Sequence, residues 1–117
     1  MCSSDLAANA PINTGHLIEM FGEIDDVARA TLATFLGSSR DLARALIAQL
    51  ATGDLAAAGK SAHSIKGAAR SAGAFPLAEI ASGIEQAAKG DDIAEARTLS
   101  TGLSAELARV EAEVKRI

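Results

Sequence analysis

An all-α fold is predicted, an antiparallel up-down four-helix bundle with a short N-terminal lid helix, and three features of the sequence predict it. Hydrophobic residues fill 49% of the 117 positions but aromatics only 3%, with no Trp or Tyr, so the core has to be built from Ala, Leu, Ile and Val. Such an alanine-rich chain with few β-branched runs favours closely packed helices over a sheet. Its apolar residues recur at spacings of three and four, the period of a helix with one buried face. Gly/Asp punctuation then cuts this pattern into long segments joined by short turns, and a chain of this length is one domain.

Residues 1–12 contain Ser3, Ser4, Asp5, Asn9 and Pro11 without periodicity, and a flexible N-terminal tail is expected there. The domain proper is expected over 13–117. Asn13 or Thr14 can cap a short helix to about Phe21, whose Leu17, Ile18 and Phe21 suit a lid over one end of the bundle. A longer helix starts near Glu23 to Asp26, an acidic first turn that complements the positive end of the helix dipole. Its stripe reads Ile24, Val27, Thr31, Phe35, Leu42, Leu46 and Leu50, with a kink expected at Gly37-Ser38-Ser39.

Thr52-Gly53-Asp54 is a stop and restart, Gly53 ending one helix and Asp54 capping the next, which Gly73 ends. Phe75-Pro76 opens the following helix with proline where its missing N–H costs nothing. Leu77, Ile80, Ala81, Ile84 and Ala88 form its inner face and Glu85 looks outward. Gly90-Asp91-Asp92 stops it and caps the last helix, which turns Ile93, Ala96, Leu99, Leu103, Leu107, Val110 and Val114 inward and runs to near Arg116.

The stretch Lys60 to Gly73 (KSAHSIKGAARSAG) holds the candidate chemistry. Leu55, Ala58, Ala62, Ile65, Ala69 and Ala72 fall on one buried stripe, and His63 lies about 130° of helix rotation from its middle. His63, Lys66, Gly67 and Arg70 stand at i, i+3, i+4 and i+7, neighbours on one surface strip that Lys60 extends by a turn. Between Asp54 and Glu79 there are Lys60, Lys66 and Arg70 and no carboxylate, although the whole chain has a formal net charge of -4. A cationic island on an acidic protein suits an anionic ligand or partner. Gly67 costs a helix interior about 1 kcal/mol relative to Ala, which close approach of another surface beside the imidazole would explain. Ser64 and Ser71 keep that surface low. A neutral imidazole is a nucleophile, and nearby cations can stabilise the oxygens of an anionic group beside it. His16, by contrast, reads as an ordinary, partly exposed helix histidine, not as a second acceptor site or metal ligand.

The run Ala62-His63-Ser64-Ile65-Lys66-Gly67, followed by Ala69, Gly73, Leu77, Ile84-Glu85 and Gly90, closely resembles the histidine-containing phosphotransfer (HPt) domain of bacterial and fungal phosphorelays. The signature H-x-x-K-G, a small residue two after the glycine, a second glycine six after it and an apolar-Glu pair are all present. The resemblance implies a carrier in which a receiver domain's phospho-aspartate donates to His63 and His63 passes the group to an aspartate of a second receiver. It implies that the ring nitrogen remote from the backbone is the acceptor, that Lys66 is the charge partner of the phosphoryl group, and that Gly67 lets the receiver close over the ring. Mg²⁺ would belong to the receiver. Lys60, Ser64, Gly67, Arg70 and Ser71 are the expected partner-binding residues. At Glu85 the resemblance marks the position, but a solvated carboxylate or a salt bridge accounts for it equally well.

No cofactor and no metal site are expected, because Cys2 is a lone cysteine and two separated histidines with scattered carboxylates make no ligand cluster. The chain lacks a phosphate loop followed by Lys-Ser/Thr, so it is expected to have no kinase activity of its own. Acidic balance and absent aromatics argue against nucleic acid, and no apolar window approaches a membrane span. With Cys2 alone and no signal-peptide pattern at the start, a reducing cytoplasm is expected; no apolar stripe is left unpaired by the bundle, so a monomer is expected, free-standing as its short N-terminus suggests. Two other functions remain open: a scaffold that binds receivers without transferring phosphate, and the phosphoacceptor domain of a chemotaxis-type kinase.

Overall fold

The structure is a computed structural model that describes residues 10–117, so the first nine residues of the expected tail lie outside the described residues. Among those described there are five helices and no strand: α1 (Thr14–Phe21), α2 (Asp26–Ala51), α3 (Leu55–Ala72), α4 (Phe75–Lys89) and α5 (Ile93–Arg116). Each boundary has a local cause. Asn13, Asp25, Asp54 and Asp92 accept hydrogen bonds from the free N–H groups of His16, Ala28, Ala57 and Glu95 at 3.0–3.1 Å. Pro76 sits in the first turn of α4. Lys115 and Arg116 lie in the last turn of α5, where the dipole favours cations.

The long helices pack in a closed circuit, α2 and α4 each lying against both α3 and α5. Leu32, Leu46, Ile65, Leu77, Ile84, Leu103 and Val110 fill the space between them, each all but inaccessible. Arg97 ties α5 to the end of α2, its guanidinium donating to the Leu50 carbonyl at 2.9 and 3.2 Å.

Three expectations are corrected here. Ile12, assigned to the tail, is 1% exposed and belongs to the core. In the first half of α2 the buried face is Ala28, Leu32, Leu36 and Ser39, while Val27 is 64% exposed and Thr31 is exposed too. Both stripes have helical spacing, and the choice follows from area: fully burying a leucine contributes about 1.5–3 kcal/mol, so Leu32 and Leu36 outweigh Val27 and Thr31. On α4, Glu85 is buried and not outward, and Ala78 joins the inner face, where Ile80 packs partly buried against the core. The helix α2 passes through Gly37-Ser38-Ser39 without a break.

The lid helix is fastened to the end of α3. Asn13 N–H donates to the Gly73 carbonyl at 2.8 Å, and the His16 Nε2–H donates to the Ser71 carbonyl at 3.1 Å. The His16 ring also stands edge-on to Phe75, with centroids 5.4 Å apart. His16 thus has a structural role. Gly73 makes this junction possible: its φ is +78°, and a Cβ there would come within 3.1 Å of the His16 ring and 3.2 Å of the Asn13 carbonyl oxygen. Gly73→Ala is therefore expected to lower stability by about 1–2 kcal/mol from the left-handed backbone alone, seen as a reduced urea midpoint.

Candidate functional site

The strip on α3 meets α4 at the middle of the circuit. Ala62, Ile65 and Ala69 bury one side of α3, which leaves the His63 side chain 67% exposed on the other. One turn along α3, Lys66 leans across to α4. The group both residues converge on is Glu85, 10% exposed at the side chain. His63 Nδ1 lies 2.9 Å from Glu85 Oε2, and the Lys66 ammonium donates to Oε1. Lys89, one turn further along α4, has its Nζ 3.8 Å from Oε2.

Lys66's hydrogen bond, together with that of His63, holds the Glu85 carboxyl below the usual carboxylate range despite burial, which acts the other way. An ionised carboxylate only accepts, so the proton between it and the imidazole sits on Nδ1. In the neutral ring Nε2 then keeps its lone pair on the side away from Glu85, on a side chain that is 67% exposed. A fixed tautomer with a free outward nitrogen is what a nucleophilic histidine requires.

Beside the ring, α3 and α4 enclose an open groove of about 520 Å³ lined in part by Leu55, Gly59, Lys60, His63, Ala88 and Lys89. Within it Gly59 faces Ala88: a Cβ at 59 would stand 3.1 Å from the alanine methyl. Lys60 and Arg70 are exposed, with no hydrogen bond or ion pair among the described residues. Ser64 and Gly67 are exposed beside the histidine, and a Cβ on Gly67 would meet nothing within 4 Å. Ser71 is exposed further along α3, with its carbonyl taken by His16.

His63, Gly67 and Arg70 are exposed along α3, and two side chains lie differently from the expectation. Glu85 does not look outward; it is drawn in by Lys66 and His63, partners on another helix. Lys66 is not a free cation, since its ammonium is spent on Glu85. Lys89 was missed altogether, although its position four residues after Glu85 places it on the same face of α4. Among the described residues no cluster of His, Cys, Asp or Glu could hold a metal ion, and no helix is long and apolar enough to cross a membrane.

Residues 30–113 match the family model of the Hpt domain. Among solved structures, the chain is similar to the crystal structure of histidine-containing phosphotransfer protein B from Pseudomonas aeruginosa PAO1, with 30% sequence identity and a TM-score of 0.79 over 88% of this chain and 87% of that one. No curated protein gives a significant match.

Proposed function

Since the chain belongs to the Hpt domain family, whose members are phosphotransfer carriers that interact with receiver domains, we propose that His63 is the residue on which it carries the phosphoryl group. Its role is histidine phosphotransfer in a phosphorelay. The observation that carries the assignment of His63 is the 2.9 Å hydrogen bond from Nδ1 to a carboxylate that holds its own negative charge, because it leaves the exposed Nε2 as the nucleophile.

In this reading Nε2 attacks the phosphorus of a receiver's aspartyl phosphate. The P–N bond forms as the bond from phosphorus to the carboxylate oxygen breaks, and aspartate leaves as its anion. No proton has to depart, because the ring's one proton stays on Nδ1 against Glu85. The phosphorylated ring is then cationic beside that carboxylate. In the reverse step a second receiver's aspartate attacks phosphorus and the imidazole leaves neutral, so one hydrogen bond serves both directions. Transfer of this kind depends on alignment and charge stabilisation more than on covalent participation by the protein. Mg²⁺ comes with the receiver.

The same reading has residues 13–117 form an up-down antiparallel four-helix bundle with α1 as its lid, acting as a cytoplasmic monomer without kinase activity, with Lys66 beside the histidine. Lys60, Ser64, Gly67, Arg70 and Ser71 form the surface a receiver covers. Gly67 separates docking from folding most cleanly. Gly67→Ala is expected to stabilise the chain by up to about 1 kcal/mol, since helix propensity improves and nothing in the chain is touched. It is expected to slow transfer about tenfold or more by holding the receiver off the ring, a small displacement being costly to an aligned reaction. A urea titration and a transfer time course on one preparation check both.

The decisive experiment charges a panel of receiver domains with a small phosphodonor and mixes each with the protein. Acid-labile, base-stable label moving to this chain supports the carrier reading and names a partner. Label arriving only from an ATP-binding kinase domain supports a chemotaxis-type acceptor instead, and receiver binding without label supports a scaffold.

A further inference from the structure

The glycines inside the long helices differ in what a side chain there would meet. At Gly37, Gly67 and Gly102 a Cβ would find nothing within 4 Å. At Gly59 it would stand 3.1 Å from the Ala88 methyl, and at Gly83 it would stand 3.1 Å from Leu99 Cδ1. Both contacts involve α4 close to Glu85, Ala88 a turn beyond the carboxylate toward α3 and Gly83 just before it toward α5. The two obstacles are unequal. Leu99 Cδ1 is the end of a flexible side chain and can turn aside. The Ala88 methyl is fixed to the main chain of α4, so it gives way only if the helix moves.

We propose that Gly59 is a positioning residue for the transfer, acting through the backbone of α4: its missing side chain sets the distance at which Glu85 meets the His63 ring. The proposal rests on the reading of His63 as the acceptor. Gly59 lies one turn before His63 on α3 and Ala88 one turn after Glu85 on α4, so the close approach and the hydrogen bond are neighbours on the faces where the two helices meet. Carbon atoms settle at about 3.5–4.0 Å, so a methyl at position 59 asks for roughly half an ångström more between the helices at this turn. His63 Nδ1 is 2.9 Å from Glu85 Oε2, and a shift of that size carries it past the usual N–H···O range. Lys66 is affected less. Its four-carbon stem can follow Oε1, whereas the imidazole turns on two torsions and has no such slack. The ring then loses its hold on one tautomer while the carboxylate keeps its ammonium. Glycine lowers the stability of a helix interior relative to alanine, and the orientation of the ring is what this one supplies.

The test compares wild type with Gly59→Ala, Gly83→Ala, the double variant Gly59→Ala/Ala88→Gly, and His63→Gln. Three quantities are read: the ¹⁵N resonances of the neutral, unphosphorylated His63 ring, the rate of uptake from a charged receiver, and the urea midpoint. Gly59→Ala is expected to draw the two ring resonances together as the second tautomer is admitted. It is expected to slow uptake about tenfold, the lower end of what an orienting partner is worth, without lowering the urea midpoint. The double variant moves the methyl from one helix to the other with helix propensity balanced, and it is expected to return resonances and rate to wild-type values. Gly83→Ala is expected to change neither. The proposal is overturned if Gly59→Ala keeps the wild-type resonances, whatever its urea midpoint, if the double variant fails to restore them, or if Gly83→Ala moves them as far. Equal labelling of His63→Gln and wild type overturns the acceptor reading and the proposal with it, whereas unmoved resonances in Gly59→Ala beside an unlabelled His63→Gln overturn the proposal alone.

Discussion

His63→Gln is expected to reduce phosphoryl uptake to background with every receiver that charges the wild type, while leaving the fold intact. The two halves of this expectation have separate causes. Glutamine has no nucleophilic nitrogen, so the P–N bond has nothing to form with, and no other histidine can substitute: His16 has its Nε2–H on the Ser71 carbonyl and its ring against Phe75. The side chain replaced is 67% exposed and outside the core, and the glutamine amide can itself donate to Glu85, so stability is expected to change by less than about 1 kcal/mol. Equal urea midpoints with label on the wild type alone would assign the loss to chemistry. Labelled His63→Gln would refute the assignment.

Glu85→Gln is expected to have the second largest effect, on both transfer and stability. The change preserves shape but removes the charge that holds the Nδ1 proton, so the ring is free to adopt the tautomer whose Nε2 carries hydrogen and cannot attack. Orienting partners of this kind are typically worth 10–100-fold, and a fall in uptake of about that size is expected. Lys66 meanwhile loses the counter-charge of an ammonium that is only 16% exposed, for which a stability loss of about 1–3 kcal/mol is expected.

Acid should reveal the same group. The Glu85 carboxyl is lowered in the folded chain by Lys66 first and by His63 as well, so its contribution is complete above the unfolded value of about 4.3 and is lost as pH falls through the folded one. Below about 4.3 the unfolded chain binds the proton first and pulls the equilibrium toward itself. Glu111, lowered by Arg40 and Lys115, acts in the same sense, so the informative quantity is the difference between wild type and variant. Urea midpoints measured as pH is lowered from neutral are expected to converge as Glu85 of the wild type is protonated. A constant gap would mean that its charge does not stabilise the fold.

The elements whose causes are local were legible in the sequence. Asp54, Gly73 and Asp92 act within three or four residues of themselves, so their caps and stops could be placed without knowing what the helices touch. The buried face of α3 was equally plain, because its alanines and Ile65 offer one stripe. On α2 two stripes of helical period lie side by side, and only the neighbouring helices decide between them. Glu85 was hidden for a stronger reason. A carboxylate on a helix is assigned to solvent unless a partner is known, and its partners, Lys66 and His63, lie 19 and 22 residues away on another helix. The sequence signal that could have drawn attention to it was the apolar-Glu pair of the family pattern, taken together with a histidine and a lysine one turn apart.

The contact of Gly59 with Ala88 has a consequence for the direction of traffic. With so little side chain between them, α3 and α4 meet nearly backbone to backbone one turn from the imidazole, and the reach from His63 to Glu85 is gauged by the main chain. In the proposed cycle, the hydrogen bond that readies the empty ring also serves the loaded one. On the proposed reading, a ring held in this way would favour neither sense of transfer by itself, and the supply of charged and uncharged receivers would set the direction.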